Sequence, residues 1–395
     1  MNDRPLRVAL VTNGVKCYRV PVYEELARRF AMEFFFFSQG DETYWLPQHG
    51  VARGDFRATS LASVRVLGTA VAPALPGRLW RGDFDVYLSG IVGRFALPVT
   101  YLVARLRRRP FVLWTQIWMR IGTPAHRAFF PVTRYLYRHA DAVVAGGEHV
   151  RRYLVAEGVD PARIFSCGNA TRNELYDREV GADEKAAQRA ALGLGADEEV
   201  VLYVGRLEEA KGVHHLLEAF AGLGRPAAKL VVAGAGMDSD YAASLQRRAA
   251  APDLAGRVVF AGYIANDRIA ALYALARVCA VPSVTTATFK EPWGLIVNEA
   301  FGQGVPVVAS DCVGAAAGGM LVDGEQGRVV PEGDVVALRN ALEDILADAK
   351  LRERMGAAAR RTLREWDVQR MVAGFEAAIR HAAEAAGPVA RREAR

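Results

Sequence analysis

Short apolar runs alternate with amphipathic stretches along most of this chain, in two successive series. The first series is "RVALVT", "EFFFFS", "VRVLG", "DVYLSG", "FVLWTQ", "DAVVAG" and "RIFSCG". The second is "VVLYVG", "KLVVAGAG", "RVVFAGY", "RVCAVPS" and "VPVVAS". Strands that are apolar along their whole length need cover on both faces, which is the condition of a parallel sheet between helices. The stretches 212–223, 238–250, 266–275 and 334–347 have the helical pattern to supply that cover. With 395 residues the chain exceeds one ordinary core. The expectation is an α/β chain of two Rossmann-like domains, 1–180 and 181–365, with the polar segment "GADEKAAQRAALGLGA" (181–196) at the join. Residues 366–395 are expected to form a C-terminal helix packing back on the first domain, followed by a frayed basic tail.

Composition narrows the function classes. Hydrophobic residues make up 51% and charged residues 24%, a globular balance. No run of 18 or more apolar residues exists, so no membrane-spanning helix is expected. The opening "MNDRPLRVALVTNG" lacks the apolar core and cleavage site of a signal peptide, and a cytoplasmic location is expected. Cys17, Cys167, Cys279 and Cys312 are isolated, without CxxC spacing, so neither a disulfide framework nor a metal site is expected and all four read as buried, inert thiols. Charge is uneven: residues 1–180 hold 25 Lys/Arg against 16 Asp/Glu, and the remainder 25 against 28. The basic half has its clearest cluster at Arg105, Arg107, Arg108 and Arg109. It suits an anionic partner or peripheral contact with the inner face of the plasma membrane, beside the plainer reading of a solvated arginine-rich surface. No aromatic-interleaved basic motif occurs, so nucleic acid is not an expected partner.

In open α/β sheets, ligands bind beyond the carboxyl ends of the strands. Two facing domains of this type would therefore carry their chemistry in strand-end loops bordering a central cleft. In "VVLYVGRLEEAKGV" (200–213) a strand ends at Gly205, Arg206 follows at once, and Lys211-Gly212 opens a helix. Two cations and a helix start at one strand end suit a phosphate. The loop is not GxxxxGK[ST]. In "FKEPWGLIVNEAFGQG" (289–304) Pro292 suits a first helical turn, Gly294 permits close approach of a ligand, and Glu291 and Glu299 lie eight residues apart. Were all eight helical, the rise would be about 12 Å, so the carboxylates would grip two ends of one elongated ligand. A carboxylate accepts two hydrogen bonds at once and suits vicinal hydroxyls. A nucleotide-sugar has hydroxyls at both ends and a diphosphate between them.

The motifs "VGRLEEAKGV", "AVPS…EPWGLIVNEAFGQGVPVVASD" and "DGEQGRVVPEGD" resemble those of the retaining glycosyltransferases of family 4. The resemblance is specific over 200–345. It extends more loosely to "TNGVKCYRVPVYEELARRF" and to "ADAVVAGGEHVRRYLVAEGVDPARIFSCGNATRNELY" in the first half. It implies the GT-B fold: two Rossmann-like domains with parallel sheets facing a central cleft. It also implies that Arg206 and Lys211 contact the donor diphosphate, Glu291 the transferred sugar, backbone N–H groups around Gly294, Leu295 and Ile296 the sugar and phosphate, and Glu299 the ribose. Gly14 and Gly205 would border the donor, and the loop at Tyr263 and Ile264 would meet the base. The family works without a metal, and no cofactor is implied. Two departures fall in the first half: Gly14 stands beside Asn13 and Lys16 where paired glycines are common, and "WTQIWMR" has Gln116 where many members have histidine. On the acceptor side this leaves Lys16, Gln116, Trp118 and His126 as candidates. Trp114, Trp118 and Phe129 read either as an acceptor lining or as ordinary packing.

The implied reaction is transfer of a sugar from a nucleotide-sugar, a UDP- or GDP-sugar first, to a hydroxyl acceptor with retained anomeric configuration. Two-carboxylate glycosidase chemistry needs carboxyls about 5 Å to about 9.5 Å apart across one sugar, closer than this spacing suggests. A nucleotide-sugar epimerase, a sugar phosphorylase and a non-catalytic sugar-nucleotide-binding subunit are the alternatives on the same fold.

Overall fold

The structure is a computed structural model that describes residues 4–37, 54–66, 68–90, 93–234, 236 and 239–387. Of the tail "GPVARREAR" expected at 387–395, residues 388–395 lie outside the described residues. Among the described residues nine strands form in the first half: β1 (Arg7–Thr12), β2 (Ala31–Phe36), β3 (Ala58–Ser60), β4 (Val64–Val66), β5 (Thr69–Val71), β6 (Val86–Gly90), β7 (Phe111–Thr115), β8 (Ala142–Ala145) and β9 (Ile164–Ser166). Six follow: β10 (Glu199–Val204), β11 (Ala228–Ala233), β12 (Val258–Gly262), β13 (Ala276–Val281), β14 (Val307–Ser310) and β15 (Gly327–Val330). The first sheet has the order β3-β2-β1-β6-β7-β8-β9 and the second β12-β11-β10-β13-β14-β15. Every pairing in both sheets is parallel.

Alternate residues of each central strand enter different cores, as a sheet covered on both faces requires. Val8 and Leu10 of β1 join one cluster and Ala9 and Val11 another. In β10, Val200 and Leu202 face one cluster and Val201 and Tyr203 the other. The helical pattern also forms as expected, over Val213–Ala221, Asp240–Ala249, Asn266–Leu275 and Val335–Ala347. Ser239 and Asp334 cap two of these by accepting from the N–H groups of Ala242 and Ala337.

Four local expectations change. "VRVLG" does not enter the parallel sheet: Val64–Val66 is exposed at all three residues and pairs antiparallel with β5 as a separate hairpin. Pro292 is not in a first helical turn, because the helix that follows begins at Ile296. Only the last four residues from Glu291 to Glu299 are helical, so the 12 Å rise does not apply. Cys17 is exposed, unlike the buried Cys167, Cys279 and Cys312. The basic cluster is dispersed: Arg105 pairs with Asp141 at 2.9 Å, the buried Arg109 lies 3.9 Å from Asp85, and Arg107 lies over the Trp80 ring.

The chain divides into two compact units, residues 1–170 with 368–395, and residues 171–367. The division falls at 170/171 and 367/368, not at 180/181 and 365/366. Packing explains the shift. Tyr176 backbone and Cβ atoms lie where a Cβ on Gly302 would be, 2.7 Å away, and Gln303 Nε2 donates to the carbonyls of Tyr176 and Arg178. Asn173 Nδ2 donates to the Leu363 carbonyl at 3.2 Å, and Trp366 packs on Trp293. The helix Val368–Ala385 covers the first sheet, burying Met371, Val372, Phe375, Ala378, Ile379 and Ala382 against β7, β8 and β9. Its Glu376 pairs with Arg29 at 2.6 Å. Among the described residues no helix is long and apolar enough to cross a membrane.

Phe375 is fully buried and edge-on to Trp114 at 5.1 Å. Phe375→Ala is expected to cost about 3–5 kcal/mol in denaturant unfolding, the range for deleting a core aromatic. A loss below about 1 kcal/mol would show that this helix is not part of the first core.

Candidate functional site

Both sheets reverse their strand order at one point, between β1 and β6 in the first and between β10 and β13 in the second. The loops leaving these strands diverge there and leave a crevice. In the second unit the crevice is framed by residues 205–212 after β10 and 282–295 after β13.

Gly212 explains the local path of the first loop. It has φ +70°, and a Cβ there would stand 1.8 Å from the Pro282 carbonyl oxygen. Only a bare Cα allows the turn to close against the end of β13. Val284 N–H donates to the Ala210 carbonyl at 2.9 Å, tying the loops together. This closure brings Lys211 Nζ to 2.5 Å from Glu291 Oε2. Ser283 Oγ donates to the same carboxylate oxygen at 3.1 Å, and the Phe289 ring lies 4.7 Å from Lys211 Nζ. The pair is almost buried, with side chains 14% and 9% exposed. The resemblance assigns Lys211 to the phosphate and Glu291 to the sugar; the structure pairs the two side chains directly. Arg206, next to Gly205, is half-buried and pairs with Glu208 in its own loop, while the Tyr203 hydroxyl donates to the Arg206 carbonyl at 2.8 Å.

Beyond Glu291 the chain doubles back. Gly314 N–H donates to the Glu291 carbonyl and Ala315 N–H to the Trp293 carbonyl at 2.7 Å. Gly294 has φ +84°, with Val313 Cγ1 3.0 Å from where a Cβ would be. The backbone N–H groups of Gly294, Leu295 and Ile296 donate to no acceptor among the described residues. Three successive free donors beside an ion pair form a place for phosphate or sugar oxygens. Glu299 lies further on, in the helix Ile296–Gly302. Tyr273 OH donates to its Oε2 at 2.7 Å and Tyr176 OH to its Oε1 at 3.2 Å. Burial pushes its carboxyl up to about 7, against the pull of the two hydroxyls. These tyrosines were not singled out from sequence. Tyr273 occupies an ordinary helical core position, and Tyr176 lies in the segment assigned to the other domain. Tyr263 is exposed and Ile264 buried, in the loop after β12.

The first unit has a cavity of about 160 Å³ at its own switch point, lined by the loops after β1 and β7 and by Gly90 at the end of β6. Gly14, Lys16 and Gln116 meet there, together with Trp114 and Arg19. Trp118 and His126 are not in its lining. Trp118 packs edge-on to His149 at 4.9 Å. His126 Nδ1 is 2.6 Å from Thr123 Oγ1, at the start of the helix Pro124–His139. Burial, then Arg94, pushes its imidazole down. Arg19 was not singled out from sequence, where it reads as one basic residue at the start of a helix. Among the described residues no group of three or more His, Cys, Asp or Glu side chains is placed to hold a metal.

The raised Glu299 carboxyl gives stability a pH dependence. With a folded value near 7 against an ordinary 4.5, the folded chain binds a proton that the unfolded chain releases between those values. The carboxyl therefore favours folding most at low pH, and that share is lost as pH rises through about 7. Glu299→Gln mimics the protonated form. It is expected to stabilise the ligand-free protein at pH 8 by on the order of 1–3 kcal/mol, with the gain shrinking towards pH 5. A difference from wild type that does not change with pH in urea titrations would contradict this.

Comparison with known proteins shows what these features are similar to. Residues 184–362 match the model for glycosyl transferases group 1. A lipopolysaccharide core biosynthesis glycosyltransferase of Rhizobium meliloti is 28% identical over 308 residues, covering 73% of this chain and 83% of that protein. A D-inositol 3-phosphate glycosyltransferase of Mycolicibacterium paratuberculosis is 31% identical over 252 residues, 61% of this chain, and the match spans about half of that relative, 54% of its length. Among solved structures, HepE of Anabaena in complex with UDP and glucose superposes with a TM-score of 0.74 at 21% identity, covering 94% of this chain and 98% of that one. Residues 184–362 are thus similar to glycosyl transferases group 1, and the fold of the chain, two units each built on a parallel sheet, is of the GT-B class.

Proposed function

We propose that this protein transfers a sugar from a UDP-sugar to a hydroxyl acceptor with retention of anomeric configuration. The observation that carries the reading is the row of free N–H groups at Gly294, Leu295 and Ile296, set between the Lys211–Glu291 pair and Glu299. One ligand with a diphosphate between two hydroxyl-bearing ends satisfies all three. Solved neighbours in complex with UDP and with UDP-glucose favour uridine over guanosine for the nucleotide. The first unit would supply the acceptor side, and the reaction would run in the cytoplasm, at the inner face of the plasma membrane where the acceptor is lipid-linked.

In this reading the bond between the anomeric carbon and the β-phosphate oxygen breaks, and the acceptor hydroxyl attacks from the face the phosphate leaves. The acceptor's proton passes to the departing phosphate. Negative charge grows on the diphosphate, and Arg206, Lys211 and the N–H row stabilise it with no metal required. Glu291 turns from Lys211 towards the sugar hydroxyls, while Glu299, fixed by Tyr176 and Tyr273, accepts from the ribose. Fixed groups of this kind need no reorganisation during the reaction.

Arg206 gives the cleaner test of the phosphate site, because removing Lys211 would leave Glu291 buried without its cation and destabilise the fold. Wild type is expected to show a higher thermal midpoint with UDP-glucose than with GDP- or ADP-glucose, since binding to the native state raises it. Arg206→Ala is expected to reduce UDP-glucose consumption by roughly 10²–10³-fold, about 3–4 kcal/mol. No midpoint rise with any nucleotide-sugar, or near-wild-type turnover in Arg206→Ala, would overturn the reading.

A further inference from the structure

The cavity of the first unit sets two cations and several hydrogen-bonding side chains among aromatic rings. Arg19 lines it and is only 5% exposed. Its guanidinium lies over the Tyr18 ring at 5.1 Å and the Trp114 ring at 5.3 Å, and its polar side-chain contact is Nη1 to the Met371 sulfur at 2.9 Å. Among the described residues it has no carboxylate partner. A buried cation held by two ring faces and a thioether is costly, because buried charges are normally paired. Two further donors at the cavity share this condition. Trp114 Nε1 and Gln116 Nε2 are buried and donate to no acceptor. Lys16 adds a second cation to the lining, and among the described residues no Asp or Glu lines it.

We propose that this cavity is a binding site for an oxyanion group, a phosphate or a carboxylate, held by the Arg19 guanidinium and the Trp114 and Gln116 N–H groups. An oxyanion supplies the acceptor atoms that the Trp114 and Gln116 N–H groups lack and the anion that Arg19 lacks among the described residues, and a guanidinium matches its planar pair of oxygens. With two rings at 5.1 Å and 5.3 Å and a thioether at Nη1, the remaining guanidinium N–H groups are those an oxyanion would meet. The cavity volume suits a single such group. On the transfer reading above, this group belongs to the acceptor, which would be a phosphorylated or carboxylated molecule and not a neutral sugar.

The test uses the full chain and inorganic phosphate as probe, with chloride at matched ionic strength as control and acetate as the arm that separates carboxylate from phosphate. Phosphate is expected to raise the wild-type thermal midpoint. The rise should persist in Arg206→Ala, which weakens the donor phosphate site, and vanish in Arg19→Met, which keeps an unbranched apolar stem without the guanidinium. Gln116→Leu should shrink the rise and decides the matter if Arg19→Met does not fold. A larger response to acetate assigns the site to a carboxylate. No rise with either anion in wild type, or an unchanged rise in Arg19→Met or in Gln116→Leu, overturns the proposal. Because the readout involves no sugar transfer, loss of the anion response with an intact UDP response removes this site alone. An intact anion response without a UDP response removes the transfer reading alone.

Discussion

The Lys211–Glu291 ion pair is the interaction on which the second unit's site depends. Each partner comes from a different strand end, and the pair closes the switch-point crevice from side to side. Desolvating two charges to this degree is expensive and is offset only by good geometry and further hydrogen bonds. Ser283 supplies one such bond, and the bare Cα of Gly212 allows the approach. The pair also keeps both charges ready. On the proposed function, a diphosphate at the N–H row would give Lys211 a second anion to serve, and Glu291 would exchange its cation for the sugar hydroxyls.

Glu299 is prepared differently. No cation is placed on it; two tyrosine hydroxyls hold its two oxygens. Burial without a positive partner is what lifts its carboxyl to about 7. The two glutamates thus differ in chemistry as well as in position. One is held in an ion pair, and the other is a buried carboxyl held by tyrosine hydroxyls. A ligand bridging them meets an electrostatic end and a hydrogen-bonding end, which suits the phosphate-linked sugar at the first and the ribose at the second.

Much of this was legible in the sequence. Fully apolar strands of four to six residues leave few options besides parallel sheets, and the chemistry of a parallel sheet lies at strand ends, so Arg206, Lys211, Glu291 and Glu299 stood out there. What escaped depends on contacts between segments distant in sequence. Tyr176 reads as a residue before the join, yet its hydroxyl reaches Glu299, 123 positions away. Pro292 has helix-start chemistry, but the backbone is held in a bend by Gly314 and Ala315 until Ile296. The short edge strands β3 and β15 carry too little apolar pattern to be read alone, and the exposed "VRV" carries a misleading one. Arg19 shows why a charge count is a weak guide: its meaning lies in the carboxylate that is not beside it.

The central claim is that Glu291 and Glu299 serve opposite ends of one nucleotide-sugar, and calorimetry with UDP, which carries the ribose and diphosphate but no sugar, tests it most directly. Glu299→Ala should weaken UDP binding by about tenfold or more, since a lost contact to a charged group amounts to roughly 1.5–3 kcal/mol. Glu291→Ala should bind UDP as tightly as wild type or more tightly, because Lys211 loses its internal competitor for the diphosphate. If Glu291→Ala abolishes UDP binding while Glu299→Ala leaves it intact, the two glutamates do not divide the ligand in this way.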